Sequence, residues 1–411
     1  MILVPNRLLQ LNGNRVFVVL LVIFFSSCSK RILPVPESAP EKGQVKKQPV
    51  SKELPAITVR SMALILPFNL DKVNPANASA TEISKSALAI DFYQGLKLAL
   101  DSLSLEGTNF KLQVFDSREN ELQIVNLARA QSVLNNDLII GPIFPESIKT
   151  FSEFADLKEK LEVSPLAAAD PRQFANPNLV TITNTIDQHA GKIADYINRN
   201  YKPDKVNLIL INTLSNDDKK YADPFKNYLN QFSKNRFVIN EKTNAIGLEN
   251  YLSADKVNLV IIVSTDRDFI LPSIDRLYKL SQGGIQIEVF GHPNWAKAQF
   301  LNSEKMQGLN TRITSSYFID YKAGNVKQFV SRYRDEYGLE PKEFAFKGFD
   351  TGFYFGKLLA QYGSQYARYM SNSKYKGLHN RFQFVKVANS GYLNSELMIL
   401  KYQGFELKVE E

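Results

Sequence analysis

The residues best suited to chemistry in this chain are few and widely separated. There is one cysteine, Cys28, and there are three histidines, His189, His292 and His379. A single cysteine excludes an intrachain disulfide, a CxxC redox pair and a multi-cysteine zinc site. The histidines are far apart and no HExxH is present, so no metal site is expected. Asp116-Ser117-Arg118 and Asp350 invite a catalytic reading. No GxSxG, Walker loop or paired-carboxylate spacing supports one. The chain is therefore not read as an enzyme, and no cofactor is implied. Trp295, in the segment FGHPNW, has two readings: a platform that stacks on a sugar or apolar group, or a half-buried core aromatic. Lys and Arg number 50 against 42 Asp and Glu, a mild net charge of +8 over 411 residues. No basic block of nucleic-acid-binding density occurs, so no nucleic-acid partner is expected. A chain that is 44% hydrophobic and 22% charged is globular in composition.

The N-terminus reads as an export signal. Arg7 and Arg15 precede the apolar run from Val16 to Phe25. That run is too short to span a bilayer as a helix, which needs about 20 residues. A basic start, a short apolar core and small residues form a secretory signal. Phe25-Ser26-Ser27-Cys28 resembles a bacterial lipobox, with Phe where Leu is usual. On this reading residues 1–27 are the signal peptide, and Cys28 carries the lipid that attaches the chain to the membrane; two or more acyl chains anchor stably. Residues 28–59 form the anchor and a tether. The stretch 29–59 holds five prolines, mixed charge and no apolar period, so it is a semi-extended spacer. Lipoproteins of the Bacteroidetes type carry an acidic run after the cysteine when exported to the surface. Here Ser29-Lys30-Arg31 follows, and by that resemblance the body faces the periplasm, anchored to the cell envelope at the outer membrane.

From residue 60 onward strands and helices alternate. Ala63 to Pro67 is an apolar run closed by proline. Ala89, Phe92, Tyr93, Leu96, Ala99, Leu100 and Leu103 share one helical face. Strands are expected at 110–115, 137–140 and near Ser164, with helices at 120–134 and from about 146. The rhythm restarts after residue 185, with strands at 206–211, 257–263 and 285–290 and helices at 223–232 and 266–280. Two helices follow at 325–338 and 345–362, then strand-like segments at 381–387, 395–401 and 404–409. The runs VNLILI and VNLVIIV are apolar on both faces, as a helix-covered parallel sheet requires. The expected fold is α/β, with two lobes that are each a parallel sheet flanked by helices. The chain is expected to visit them in turn: 60–185 plus 314–375 in the N-terminal lobe, 186–313 plus 376–411 in the C-terminal lobe.

Four segments, in order, carry a family resemblance: AIDFYQGLKLALDSL, DLIIGPIFPESI, LEVSPLAAADP and PKEFAFKGFDTGFYFGKLL. In the last, Pro341, Ala345, Gly348, Phe349 and Asp350 match the pattern P..yA..gYDA. The tail KGLHNRFQFVK is similar to f.G.tG.i.Fd, with Asn380 at the second glycine. Residues 60–410 thus resemble the type I periplasmic solute-binding proteins, which include the branched-chain amino-acid and amide receptors of ABC importers. The resemblance implies two lobes hinged around a central cleft, with a small-molecule ligand between them. In open parallel sheets the crevice lies outside the carboxyl ends of the strands. The loops Gly141–Ser147, Ser164–Ala169, Asn212–Tyr221 and Gly291–Trp295 are the expected lining, each also explicable as plain turn chemistry. They supply the candidate ligand-binding residues Ile143, Phe144, Ser147, Ala167, Ala168, Tyr221, His292 and Trp295.

The departures from the family pattern concern the ligand. Family receptors for amino acids hold the carboxylate partly with hydroxyls. Pro145 stands at the serine position and Ala168 at the threonine position, while Tyr221-Ala222 replaces a tyrosine-glycine pair. Ser147 and backbone N–H groups are the remaining donors, so free branched-chain amino acids are expected to bind weakly and a larger or less acidic ligand to be preferred. The resemblance implies a membrane-anchored periplasmic solute-binding lipoprotein, with an ABC permease as a partner. The alternative is a ligand-degenerate scaffold or regulatory lipoprotein of peptidoglycan synthesis, acting through contacts with a peptidoglycan synthase. Lipoprotein activators of such synthases carry a related domain.

Overall fold

The computed structural model describes residues 59–73, 77, 79–231 and 236–411, and the side chains of Glu82 and Lys85 are left aside. The expected signal peptide, Cys28 and residues 29–58 of the expected tether lie outside the described residues, and Val59, placed in the tether from sequence, begins the first strand. Residues Ala56–Glu411 form one compact unit.

Strand β1, Val59–Leu66, shows why this chain builds a two-faced sheet. Its side chains alternate between two cores, as the strand period of two requires. Met62, Leu64 and Leu66 pack with the helices Ala80–Ser104 and Glu343–Tyr362. Ala63 and Ile65 pack on the other face, with the helices Glu121–Arg129 and Pro145–Phe154. Beside β1 lie β2 (Asn109–Asp116), β3 (Leu138–Ile140), β4 (Glu162–Ser164) and β5 (Leu179–Thr181). The expected helix over 120–134 breaks at Ala130, whose backbone is extended, into Glu121–Arg129 and Gln131–Leu134.

The second sheet repeats the plan. It contains β6 (Val206–Ile211), β7 (Ile239–Lys242), β8 (Val257–Ile262), β9 (Ile287–Gly291) and β10 (Arg312–Ser315). Ile209, Ile211, Val260 and Ile262 face the helix Arg267–Gln282. Leu208, Leu210, Leu259 and Ile261 face the helices Ile186–Asn200 and Asn216–Gln231. The small strands β11 (Tyr375–Lys376) and β12 (Arg381–Phe382) pair with each other. The last four are β13 (Phe384–Lys386), β14 (Tyr392–Asn394), β15 (Met398–Gln403) and β16 (Glu406–Val409).

The strand order is β13-β14-β5-β4-β3-β1-β2 in one sheet and β16-β15-β10-β9-β8-β6-β7 in the other. Both sheets are mixed rather than wholly parallel. β13 runs antiparallel to β14, and β15 and β16 run antiparallel at the far edge of the second sheet. This corrects one expectation. Residues 376–411 do not all belong with the second lobe, because β14 pairs in parallel with β5 in the first sheet. Only β15 and β16 join the second, so the last crossing falls between Asn394 and Met398.

One helix contact places the site. Gly348, Gly352 and Gly356 lie at intervals of four on one face of the Glu343–Tyr362 helix, against Phe92, Leu96, Ala99 and Leu103. A Cβ on Gly348 would lie 2.1 Å from the Phe92 carbonyl oxygen, and one on Gly95 would lie 1.8 Å from that of Ala345. The missing side chains let the two backbones touch. That contact presses the first turns of the later helix toward the carboxyl ends of the first sheet.

Candidate functional site

A cleft of about 640 Å³ opens at the carboxyl ends of the strands of both sheets. Leu166 and Ala168 reach it from the loop after β4, and Thr183 and Asn184 from the segment after β5. Asp217 and Lys220 come from the start of the Asn216–Gln231 helix, and Thr265 from the loop after β8. His292, Pro293, Asn294, Ala296 and Lys297 follow β9, Ser315 ends β10, and Ser316 and Tyr317 come after it. The first turns of the Glu343–Tyr362 helix add Glu343, Phe344 and Lys347.

Of the residues singled out from the sequence, Ala168 and His292 line this cleft. The others lie elsewhere for identifiable reasons. Ile143 is buried in the first lobe's core, and Ala167 packs with Ile148, Ala169, Phe174 and Leu179. Phe144 and Ser147 border a separate depression of about 330 Å³ with Glu119, Glu121 and Glu146, not the cleft. The Asn216–Gln231 helix begins earlier than expected, so Tyr221 is helical. With Ala222, Phe225 and Leu229 it faces the core, and its ring lies 5.6 Å from that of His292. Trp295 is a core aromatic, 1% exposed, whose Nε1 donates to the Ser264 carbonyl at 3.0 Å.

The polar residues that the cleft does assemble form an ordered set. The Lys347 ammonium donates to Thr183 Oγ1 at 2.9 Å, and that hydroxyl donates to the Pro165 carbonyl at 3.2 Å. Lys347 is 5% exposed, and burial lowers its pKa from 10.5 to about 8. His189 Nδ1 is 2.8 Å from Thr314 Oγ1, and its Nε2 is 3.3 Å from Ser316 Oγ. Burial, with His292 nearby, holds His189 down to about 3, so it is neutral at pH 7. His292 Nδ1 accepts the Asn294 N–H at 3.1 Å, which leaves the proton on Nε2. Burial holds it down to about 4. Two lysine–carboxylate pairs complete the lining, Lys220–Asp217 at 2.7 Å and Lys297–Glu343 at 2.8 Å.

The cleft wall is itself held by Asp350. Its carboxylate accepts the N–H groups of Leu378, His379 and Asn380 at 2.8, 2.8 and 2.7 Å, and the Tyr375 hydroxyl at 3.1 Å. The segment it gathers pairs with the chain leaving β10. Phe318 N–H donates to the His379 carbonyl at 2.9 Å, Asn380 Nδ2 donates to that of Ser316 at 3.1 Å, and the Tyr317 ring stacks on His379 at 4.4 Å. Asp350 is thus a positioning residue. A second hub joins two of the crossings: the Asn394 carbonyl accepts from Asn184 Nδ2 and from Gln188 Nε2, each at 2.7 Å.

Sequence reasoning did not single out Lys347, Thr183 or Tyr317, and weighed His189 only as a metal ligand. Among the described residues, no group of three or more His, Cys, Asp or Glu side chains could hold a metal ion.

No protein-family model and no curated protein matches the chain. Solved structures do. A Rhodospirillum rubrum protein described as a branched-chain amino acid ABC transporter superposes with a TM-score of 0.62 at 16% identity, over 85% of this chain and 99% of that one. The C-domain of LpoA (YraM) from Haemophilus influenzae, a regulator of PBP1A, gives 0.53 at 12% identity, over 85% of this chain and all (100%) of that one. An ABC transporter substrate-binding protein from Desulfitobacterium hafniense in complex with Leu gives 0.51 at 13% identity, over 85% and 99%. At such identities the likeness is one of fold, and the fold of this chain is that of the two-lobed type I periplasmic binding proteins.

Proposed function

We propose that this chain is a membrane-anchored periplasmic solute-binding lipoprotein that captures a small molecule between its lobes. The observation that carries the reading is the cleft of about 640 Å³ at the carboxyl ends of both sheets, lined by polar groups from both lobes. Pockets for small ligands typically span about 300–1,000 Å³, with a few convergent polar groups on partly apolar walls. Leu166, Ala168, Ile186 and Phe344 are the apolar walls here. The likeness to substrate-binding proteins of ABC transporters supports an import or sensing role, with an ABC permease as the partner. The anchor is the lipid on Cys28, and the body faces the periplasm.

A second reading has its own support. LpoA gives TM-scores of 0.53 for its C-domain and 0.56 for the full-length protein, of which this chain covers 59%. On that reading the body is a regulatory scaffold that contacts a peptidoglycan synthase, and the cleft need not close on a ligand. Small-angle scattering of the full chain separates the two. A solute-binding protein contracts when a stabilising ligand from a thermal-shift screen of amino acids, amides, muropeptides and sugars is added. If no compound stabilises it and a cell-wall synthase co-purifies, the scaffold reading replaces this one.

A further inference from the structure

The charges of the cleft do not cancel. Three lysines line it, Lys220, Lys297 and Lys347, with two carboxylates, Asp217 and Glu343. Lys220 pairs with Asp217 and Lys297 with Glu343. Both histidines in the cleft are neutral at pH 7. Lys347 is left as the uncompensated cation. It makes one hydrogen bond, to Thr183, and no ion pair within 4.0 Å with a described carboxylate.

An ammonium carries three donors, and this one uses a single donor on a neutral hydroxyl. Burying a charge without a counterion is costly, so a buried lysine ordinarily has an acidic partner. Burial lowers the Lys347 pKa to about 8; the Glu343 carboxylate, one helical turn earlier and already paired with Lys297, offsets part of that effect, and the Lys297 charge adds to it. The side chain is held in place from behind. The glycine contacts between the Glu343–Tyr362 and Ala80–Ser104 helices fix its backbone, and Thr183, itself bonded to Pro165, fixes its head. Apolar walls from Leu166, Ala168 and Phe344 stand in the same cleft.

We infer that Lys347 is the anchor for the anionic head of the ligand, and that the cleft takes an organic anion, a carboxylate or a phosphate monoester, with a partly apolar body. Thr183 positions the ammonium, and the neutral histidines add no second charge to the site. This rests on the reading of the cleft as a solute site and adds the charge class of the solute. The absence of hydroxyls at Pro145 and Ala168 favoured a less acidic ligand from sequence alone; the buried ammonium reverses that preference.

The test uses matched probes on the full chain: hexanoate against hexanamide, and hexyl phosphate against 1-hexanol. Thermal shift and titration calorimetry are run on wild type, Lys347→Met and Lys347→Gln. At least one anion is expected to raise Tm saturably in wild type, and to bind at least tenfold tighter than its neutral analogue. That preference is lost in both variants, whose own melting curves show that they fold. Affinity for the anion is expected to fall about tenfold per pH unit above about 8, where the ammonium loses its proton. Which pair responds tells carboxylate from phosphate. Neutral probes that bind as well as the anions, or anions that bind the variants as they bind wild type, overturn the assignment, as does a wild type that responds to neither anion. Scattering on the same samples separates the two levels: contraction with a neutral probe leaves the solute-binding reading standing and removes only the anion anchor.

Discussion

The Asp350 carboxylate fills the space in which a side chain on residue 377 would begin: a Cβ on Gly377 would lie 2.2 Å from its Oδ1. Glycine is what lets residues 377–380 close around the carboxylate, and the closed segment braces Ser316 and Tyr317 in the cleft wall. Gly377→Ala is expected to lower stability by about 2 kcal/mol, the usual scale of overpacking. Asp350→Ala leaves three buried N–H groups without an acceptor and is expected to cost about 3 kcal/mol or more. Urea denaturation checks both. A loss below about 0.5 kcal/mol in both variants, the range of an ordinary surface substitution, would show that the cradle is not a structural support.

Lys347 ties stability to pH with a definite sign. Its pKa is about 8 in the folded protein and 10.5 ordinarily. Between those values the unfolded chain binds more protons, so stability rises as pH rises through this window. Below pH 8 the buried charge costs up to about 3 kcal/mol. Lys347→Met is therefore expected to be at least as stable as wild type at pH 7 and to lose the rise toward pH 10. Denaturation midpoints at the two pH values check this, and parallel pH profiles for the two proteins would contradict it.

Free leucine, isoleucine and valine are expected to bind weakly. Ala168, where a hydroxyl is absent, lines the cleft, and the cleft's two carboxylates already pair with lysines. The ligand ammonium therefore meets no free acidic partner, whatever Lys347 does for its carboxylate. Titration calorimetry is the direct measurement. A dissociation constant of about 1 μM, near −8 kcal/mol, would mean that the zwitterion is recognised after all.

Cys28, outside the described residues, is expected to be lipidated and to form the mature N-terminus. Cys28→Ala should leave the membrane fraction or stall at the precursor size. A variant that fractionates and migrates like wild type would refute the lipobox reading.

The apolar runs of β1, β6 and β8 were legible because burial on both faces leaves a local mark, an unbroken Ile, Val and Leu string of strand length. The helices were legible by the same logic at a period of 3.6, and their alternation with strands sufficed for two α/β lobes. Other features depended on partners distant in sequence. The segments around β13 and β14 are short and carry no mark of which sheet edge will receive them; β5 decides that by offering Val180 and Thr181 to Tyr392 and Leu393. Tyr221 reads as a loop aromatic until the helix begins at Asn216 and turns it inward with Phe225. Lys347 reads as an ordinary helical lysine. Its meaning comes from Gly95 and Gly348, which draw two helices together, and from Thr183, which meets it from a strand end 164 residues away. Local periodicity determined which segments fold and which face each one buries. The cleft, its charge and its donors are products of contacts between segments far apart in the chain, so only the tertiary structure decided them.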